Sequence, residues 1–219
     1  MLKENVKGWD YLSLGLYAFA GLGMEALLAF VLEPIIYGHG MGEWTTSQTI
    51  SHWVITCIIW GLFMAYLIKT SKKSYNFDIL SFNHKMNSIR WIITIICVVI
   101  ALMQSYLDRN GFKVIKEFQS NGLLKFTFQY IYYFFETGLF LLIIVFAQKA
   151  GETWFKNDKI PWGGVAVAIT WGVAHIFTKG SLIVGLQASL AGLLFGIVYL
   201  TTKKNIRLAF PIIFIMFAL

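Results

Sequence analysis

The sequence predicts an all-α fold, a polytopic transmembrane helical bundle of about seven spans. Three observations carry that prediction. The 219 residues are 58% hydrophobic and only 13% charged, about half the charged share of a soluble domain. Apolar runs near 20 residues long recur along nearly the whole chain, enough for a helix to cross a hydrocarbon core of ~30 Å. Backbone groups in lipid must be satisfied internally, and the aromatic-rich turns and Gly pairs between the runs (Gly38 and Gly40, Gly163 and Gly164) carry no strand pattern.

Taken in order, the apolar segments cover about 11–37, 52–69, 90–107, 124–148, 161–178, 181–201 and 206–219. The first runs straight through "AFA" at 18–20, so it reads as an uncleaved span rather than a signal peptide. Cys57 and Cys97 lie inside apolar segments and form neither a disulfide framework nor a metal motif. With no soluble domain and no internal repeat, residues 1–219 read as one integral-membrane domain. The net charge of +7 therefore says little about nucleic acid; the lipid bilayer is the expected partner, and the distribution of cations sets the orientation.

Counting Lys and Arg by connection gives thirteen on one side of the bundle and five on the other. The richer side holds the tail (Lys3, Lys7), the connection from Lys69 to Arg90, the stretch from Lys149 to Lys159, and Lys203, Lys204 and Arg207. The poorer side holds Arg109, Lys113, Lys116, Lys125 and Lys179. Cations are retained on the cytoplasmic side. The expectation is an N-terminus inside, a C-terminus outside, and a place in a bacterial cytoplasmic membrane.

Ionisable groups within spans are costly and are functional candidates by default. Here they are Glu25, Glu33, Glu136 and His175, with Gln104 and Gln187 beside them. At a helical rise of ~1.5 Å per residue, Glu25, Gln104, Glu136, His175 and Gln187 all fall roughly 18–22 Å from the inner face. Five polar side chains on five helices would make one layer, with Glu136 and His175 as a pair or a poised base. The bland alternative is interhelical hydrogen bonding, worth about 0.6 kcal/mol per pair. Glu33, just before Pro34 near the outer end of its helix, reads as a snorkelling side chain. Gln148 and Glu152, one turn apart, read as a solvated helix end, or as a polar entrance beneath Glu136.

Several chemistries lack their spacing. There is no H-E-x-x-H, G-x-S-x-G, Walker A or G-x-G-x-x-G, and no aspartate lies within a span. His39, Glu43 and His52 in the first outer connection are the only metal-ligand candidates, and they are far apart in sequence. No metal and no cofactor is predicted.

One pattern remains. "FFETGLFLLIIVFAQKAGE" (134–152), "PWGGVAVAITWGVAHIF" (161–177) and "GLLFGIVYLTTKKNIRLAFPIIFIMF" (192–217) together resemble the CPBP family, the CAAX-processing intramembrane proteases and bacteriocin-immunity-type proteins. The resemblance covers about the last 95 residues, 124–217. In that family the first motif is E-E-x-x-x-R, the second F-x-x-x-H, and the third ends a late helix with His or Asn. Glu136 takes the first Glu, Thr137 stands at the second, and Leu141 replaces the Arg. A rival placement on "GETWFK" uses Glu152, with Phe155 and Lys156 following, but shortens the interval to His175 from 39 to 23 residues. Trp171 takes the aromatic position of the second motif and His175 its histidine, whereas Met216 occupies the third.

The resemblance implies a carboxylate that activates water against a peptide carbonyl, with the histidine stabilising the developing charge. Glu136 would be the base and His175 the stabiliser, with Glu25, Gln104 or Gln187 in support. Members that process prenylated substrates open toward the cytosol, whereas this layer counts into the outer half. Either the orientation or the substrate then differs. The expected function is an intramembrane glutamate-type protease or protease relative, acting on a membrane-associated peptide or protein. The alternative is a non-catalytic immunity or partner-binding protein, consistent with the altered motifs; a small transporter fits less well without repeats or broken helix pairs.

Overall fold

The computed structural model describes residues 5–81 and 86–219; Lys3, His84 and Lys85 lie outside the described residues. Seven helices follow in order: α1 Gly8–Tyr37, α2 Thr46–Tyr75, α3 Ser88–Arg109, α4 Lys113–Phe155, α5 over 162–179, α6 Leu182–Thr201 and α7 Ile206–Ala218. All seven predicted segments are helical, and no strand occurs among the described residues. α1, α2, α3, α4 and α6 are long and apolar enough to cross a membrane, so this is a membrane protein built as an all-α bundle.

The helix ends follow local rules. Thr45 and Gln48 cap α2 reciprocally, with Thr45 N donating to Gln48 Oε1 at 2.8 Å and Gln48 N to Thr45 Oγ1 at 3.3 Å. Asn87, Ser181 and Asn205 accept backbone N–H bonds at the starts of α3, α6 and α7. Asn76 and Asn110 end α2 and α3 in the left-handed region, which their short polar side chains tolerate.

Two helices contain a π-turn, at Leu28–Leu32 in α1 and Ala168–Gly172 in α5. A third irregularity lies in α4. Gly122 is non-helical at φ 65° and ψ 171°, and the Tyr133 hydroxyl donates to Glu117 Oε1 at 2.9 Å. A straight helix would hold residues sixteen apart separated by ~24 Å. The chain therefore reverses at Gly122, and the lead-in 113–121 folds back beside the main helix 123–155. Asn121 to Gln129 at 2.7 Å and Gln129 to Tyr133 at 2.7 Å tie the two pieces together.

The main piece of α4 is the central post. Every residue from 139 to 148 is buried, which explains a run apolar on all faces. α1, α2, α5 and α7 pack around it. α5 and α6 approach through small residues: a Cβ on Gly196 would collide with Gly164, and one on Gly172 with Ser189. In lipid, such close backbone packing substitutes for a hydrophobic driving force between helices. α3 is attached along α6 by polar links. Arg90 Nη1 donates to the Leu200 carbonyl at 2.7 Å, and the Thr94 and Thr201 hydroxyls lie 2.7 Å apart.

Contacts between helix ends show the alternation of the bundle. At the basic end, the Trp9 and Trp154 rings meet at 4.8 Å and Lys204 pairs with Glu152 at 2.7 Å. At the far end, the Tyr130 hydroxyl donates to the Ala218 carbonyl at 2.9 Å. Two far-end cations counted as loop charges are engaged there. Lys113 is 5% exposed and donates to the Phe217 carbonyl at 2.7 Å. Lys116 Nζ bonds the Arg109 carbonyl at the end of α3.

Candidate functional site

Glu136 projects from the central helix and is half-buried. Its Oε1 accepts the Trp171 indole N–H at 3.1 Å. The indole is itself fixed by Phe140, Phe217 and Phe195, with ring centroids at 5.5, 5.8 and 6.4 Å. His175, one turn beyond Trp171, packs its ring against the indole at 4.4 Å. Its Nδ1 lies 2.8 Å from the Trp171 carbonyl. A carbonyl only accepts, so Nδ1 carries the proton, and the Nε2 of a neutral ring is left as an acceptor.

The expected direct pairing of Glu136 with His175 is thus replaced by a bridge: Trp171 contacts both. The reason is local. His175 satisfies itself on its own helix, while the Ala168–Gly172 π-turn sits immediately before it and carries Trp171. Chemically, the carboxylate is oriented by one N–H donor, and a second base stands beside it. A neutral His175 with this tautomer is a proton acceptor; to stabilise an oxyanion through Nε2 it must first be protonated.

Glu25 links this centre to another that the sequence did not reveal. His52 and Glu33 are each 3% exposed, and His52 Nδ1 meets Glu33 Oε2 at 2.6 Å. The other ring nitrogen faces Glu25 Oε1 at 3.8 Å. Glu25 is also within electrostatic reach of Glu136 and His175, and the Tyr132 hydroxyl approaches it. Glu33 does not snorkel. The π-turn explains its inward aim. Residues eight apart are ~80° out of phase on a regular α-helix, and a π-turn removes roughly one residue's rotation, ~100°, bringing Glu25 and Glu33 nearly onto one face. His52, which reads as a loop residue in sequence, is the seventh residue of α2, and Trp44 packs over it at 5.2 Å.

The rest of the predicted layer divides differently. Gln104 donates to the main-chain carbonyl of Gln187 at 2.9 Å, so its side chain bonds across the α3–α6 seam. Gln148 is not a solvated helix end: it is 1% exposed and donates to Glu152 Oε1 at 2.8 Å and to the Ile160 carbonyl at 3.0 Å. Its own oxygen accepts the Gly163 N–H at 3.1 Å, stapling the turn from α4 to α5. Glu152 is held by this bond and by Lys204, at the opposite end of the bundle from His175. His39, Glu43 and His52 do not converge, since His52 turns inward to Glu33 and Glu43 is exposed. Among the described residues no group of three or more His, Cys, Asp or Glu side chains is arranged to hold a metal ion.

One further cation stands near the site. Lys113 lies over the Tyr133 and Phe217 rings, 4.3 and 4.7 Å from their centroids, and acts electrostatically on Glu136. Only the reversal at Gly122 brings it there, and no local sequence signal marks it. No family model, curated protein or solved structure matched the chain.

Proposed function

We propose that the chain is a membrane-embedded glutamate-type peptidase, or a relative of one, of the CPBP kind. The observation that carries the reading is the Trp171 bridge: it orients the Glu136 carboxylate at 3.1 Å and packs edge-to-face against His175 at 4.4 Å. Glu136 and His175 are both half-buried. Glu136 takes a proton from water as that water attacks a peptide carbonyl and returns it to the leaving amine; Lys113 supplies positive charge toward the developing oxyanion, and His175 stabilises it once its ring has taken a proton. The substrate is a membrane-associated peptide or protein. The thirteen-to-five cation bias supports a cytoplasmic basic end, with the N-terminus inside a bacterial cytoplasmic membrane.

A second reading, a non-catalytic immunity or partner-binding protein, is favoured by one observation. The three positions that depart from the family motifs are built into the packing. Thr137 bonds the Tyr133 carbonyl at 2.8 Å, and Leu141 and Met216 are 1% and 4% exposed. One substitution series separates the two readings. Glu136→Gln keeps an acceptor for the indole but removes the base. Cleavage products in membranes from cells expressing wild-type, Glu136→Gln, Glu136→Ala and His175→Ala protein are compared by N-terminal peptide mapping, with accumulation measured alongside. Products lost in all three variants at normal abundance support the peptidase. Identical product profiles in all four discard it, and a biological phenotype retained by Glu136→Gln then favours the partner-binding protein.

A further inference from the structure

A polar cavity of about 500 Å³ opens at the basic end, between the end of α4, the α6–α7 turn and the connection after α2. Lys149, Lys203 and Lys204 line it, together with Asp78, Glu152 and Tyr199. A neighbouring hollow of about 450 Å³ shares Asp78 and Ser81 with it and adds Lys72 and Arg207. Each carboxylate already has its own cation: Asp78 Oδ2 lies 2.6 Å from Lys72 Nζ, and Glu152 Oε1 lies 2.7 Å from Lys204 Nζ. Among the described residues, Lys149 and Lys203 have no carboxylate partner. Among the described residues the cavity lining therefore holds more cations than carboxylates.

Two features show that these lysines are held in place. Lys149 is steered across the Tyr11 and Phe77 rings, 5.9 and 5.8 Å from their centroids. Lys203 and Lys204 are consecutive residues in the left-handed region, at φ 56° and 61°. Glycine or asparagine takes that conformation with less strain than lysine. The place is also informative. Trp9 and Trp154 pack together at this end, the kind of aromatic pair that marks headgroup depth.

We propose that this cavity is a phosphate-binding site, taking the phosphate group of an anionic phospholipid or of a phosphate-bearing solute. Lys149 and Lys203 provide point-charge donors to the phosphate oxygens, and Lys204, shared with Glu152, closes the third side. The assignment stands apart from the reading of the Glu136 centre, which lies deeper in the bundle.

The test uses the full chain in maltoside micelles, which contain no phosphate. Phosphatidylglycerol, phosphatidylcholine and inorganic phosphate are titrated separately, with thermal stabilisation and native mass spectrometry as readouts. Lys149→Met and Lys203→Asn are each expected to weaken saturable binding about tenfold, the loss of one charge-assisted contact. Asparagine keeps the left-handed turn, and circular dichroism checks the fold. Lys156→Asn is the control: Lys156 has the same backbone conformation at φ 52° but lines neither hollow. Preference for phosphatidylglycerol, lost in both cavity variants and kept in the control, supports the site with a lipid as its source. The same pattern with inorganic phosphate supports it with a soluble source. No saturable binding of any probe, or equal weakening in Lys156→Asn, overturns it.

Discussion

The bundle holds two polar centres made of similar residues and finished differently. In the N-terminal half, Glu25, His52 and Glu33 form a carboxylate–imidazole–carboxylate set whose His52 and Glu33 are sealed at 3% exposure. In the C-terminal half, Glu136, Trp171 and His175 form a set whose two ionisable members are half-buried. Each centre adjoins a π-turn, an irregularity frequent at functional sites. The contrast teaches that polar residues in a membrane helix are not one category. In the first centre the buried His52 and Glu33 satisfy each other across 2.6 Å and join α1 to α2. In the other centre the carboxylate is oriented by a neutral indole.

The comparison breaks most directly at His52. In His52→Ala the buried Glu33 carboxylate loses the imidazole 2.6 Å away, and removing one partner of a buried ion pair costs about 3–5 kcal/mol. Thermal unfolding in micelles should show a large drop, with His175→Ala changing the same measurement far less. Equal losses at the two histidines would erase the distinction drawn between the centres.

Trp171→Phe sharpens the other half. Phenylalanine keeps most of the packing against Phe140, Phe195 and Phe217 but removes the N–H that Glu136 accepts. A lost hydrogen bond to a charged group costs about 1.5–3 kcal/mol. The expected result is a moderate fall in melting temperature, together with loss of any Glu136-dependent readout. Wild-type behaviour in both would show that the indole does not position the carboxylate.

The smallest effect is expected where charge meets solvent. Lys72 beside Asp78, helped by the Leu80 backbone N–H, holds the Asp78 carboxyl below the usual aspartate range. A depressed carboxyl contributes stability above its ordinary range and loses it as acid carries the pH down through the lowered value. Wild-type protein should therefore lose slightly more stability on acidification than Asp78→Asn, and parallel melting curves across that range would remove the contribution. Exposed pairs are worth little, so this measurement also fixes the floor against which the two buried centres are judged.

Much of the architecture was legible residue by residue. Seven apolar runs correspond to seven helices in order. The layer of five was only partly right. Glu25, Glu136 and His175 do gather within electrostatic reach, but Gln104 and Gln187 serve a helix seam. Depth counting along straight helices fixes height and leaves the rotation of each helix free. Glu33 reads as a helix-end carboxylate because the turn that aims it inward changes the register by a single residue, and His52 reads as a loop residue because α2 starts six residues earlier, at Thr46. Lys113 reads as a loop cation because the reversal at Gly122 is one residue wide.

The sequence by itself determined the helical class, the order of the helices and which end carries the cations. Lipid forces every backbone hydrogen bond to be local, so composition and run length suffice for these. Which polar groups meet is visible only in the folded bundle: Glu33 with His52, Trp171 with Glu136, Lys113 with the Phe217 carbonyl. Those partnerships depend on helix rotation, on two π-turns and on one glycine reversal. Each is a change of angle at a few residues, which side chains distant in sequence then turn into contact.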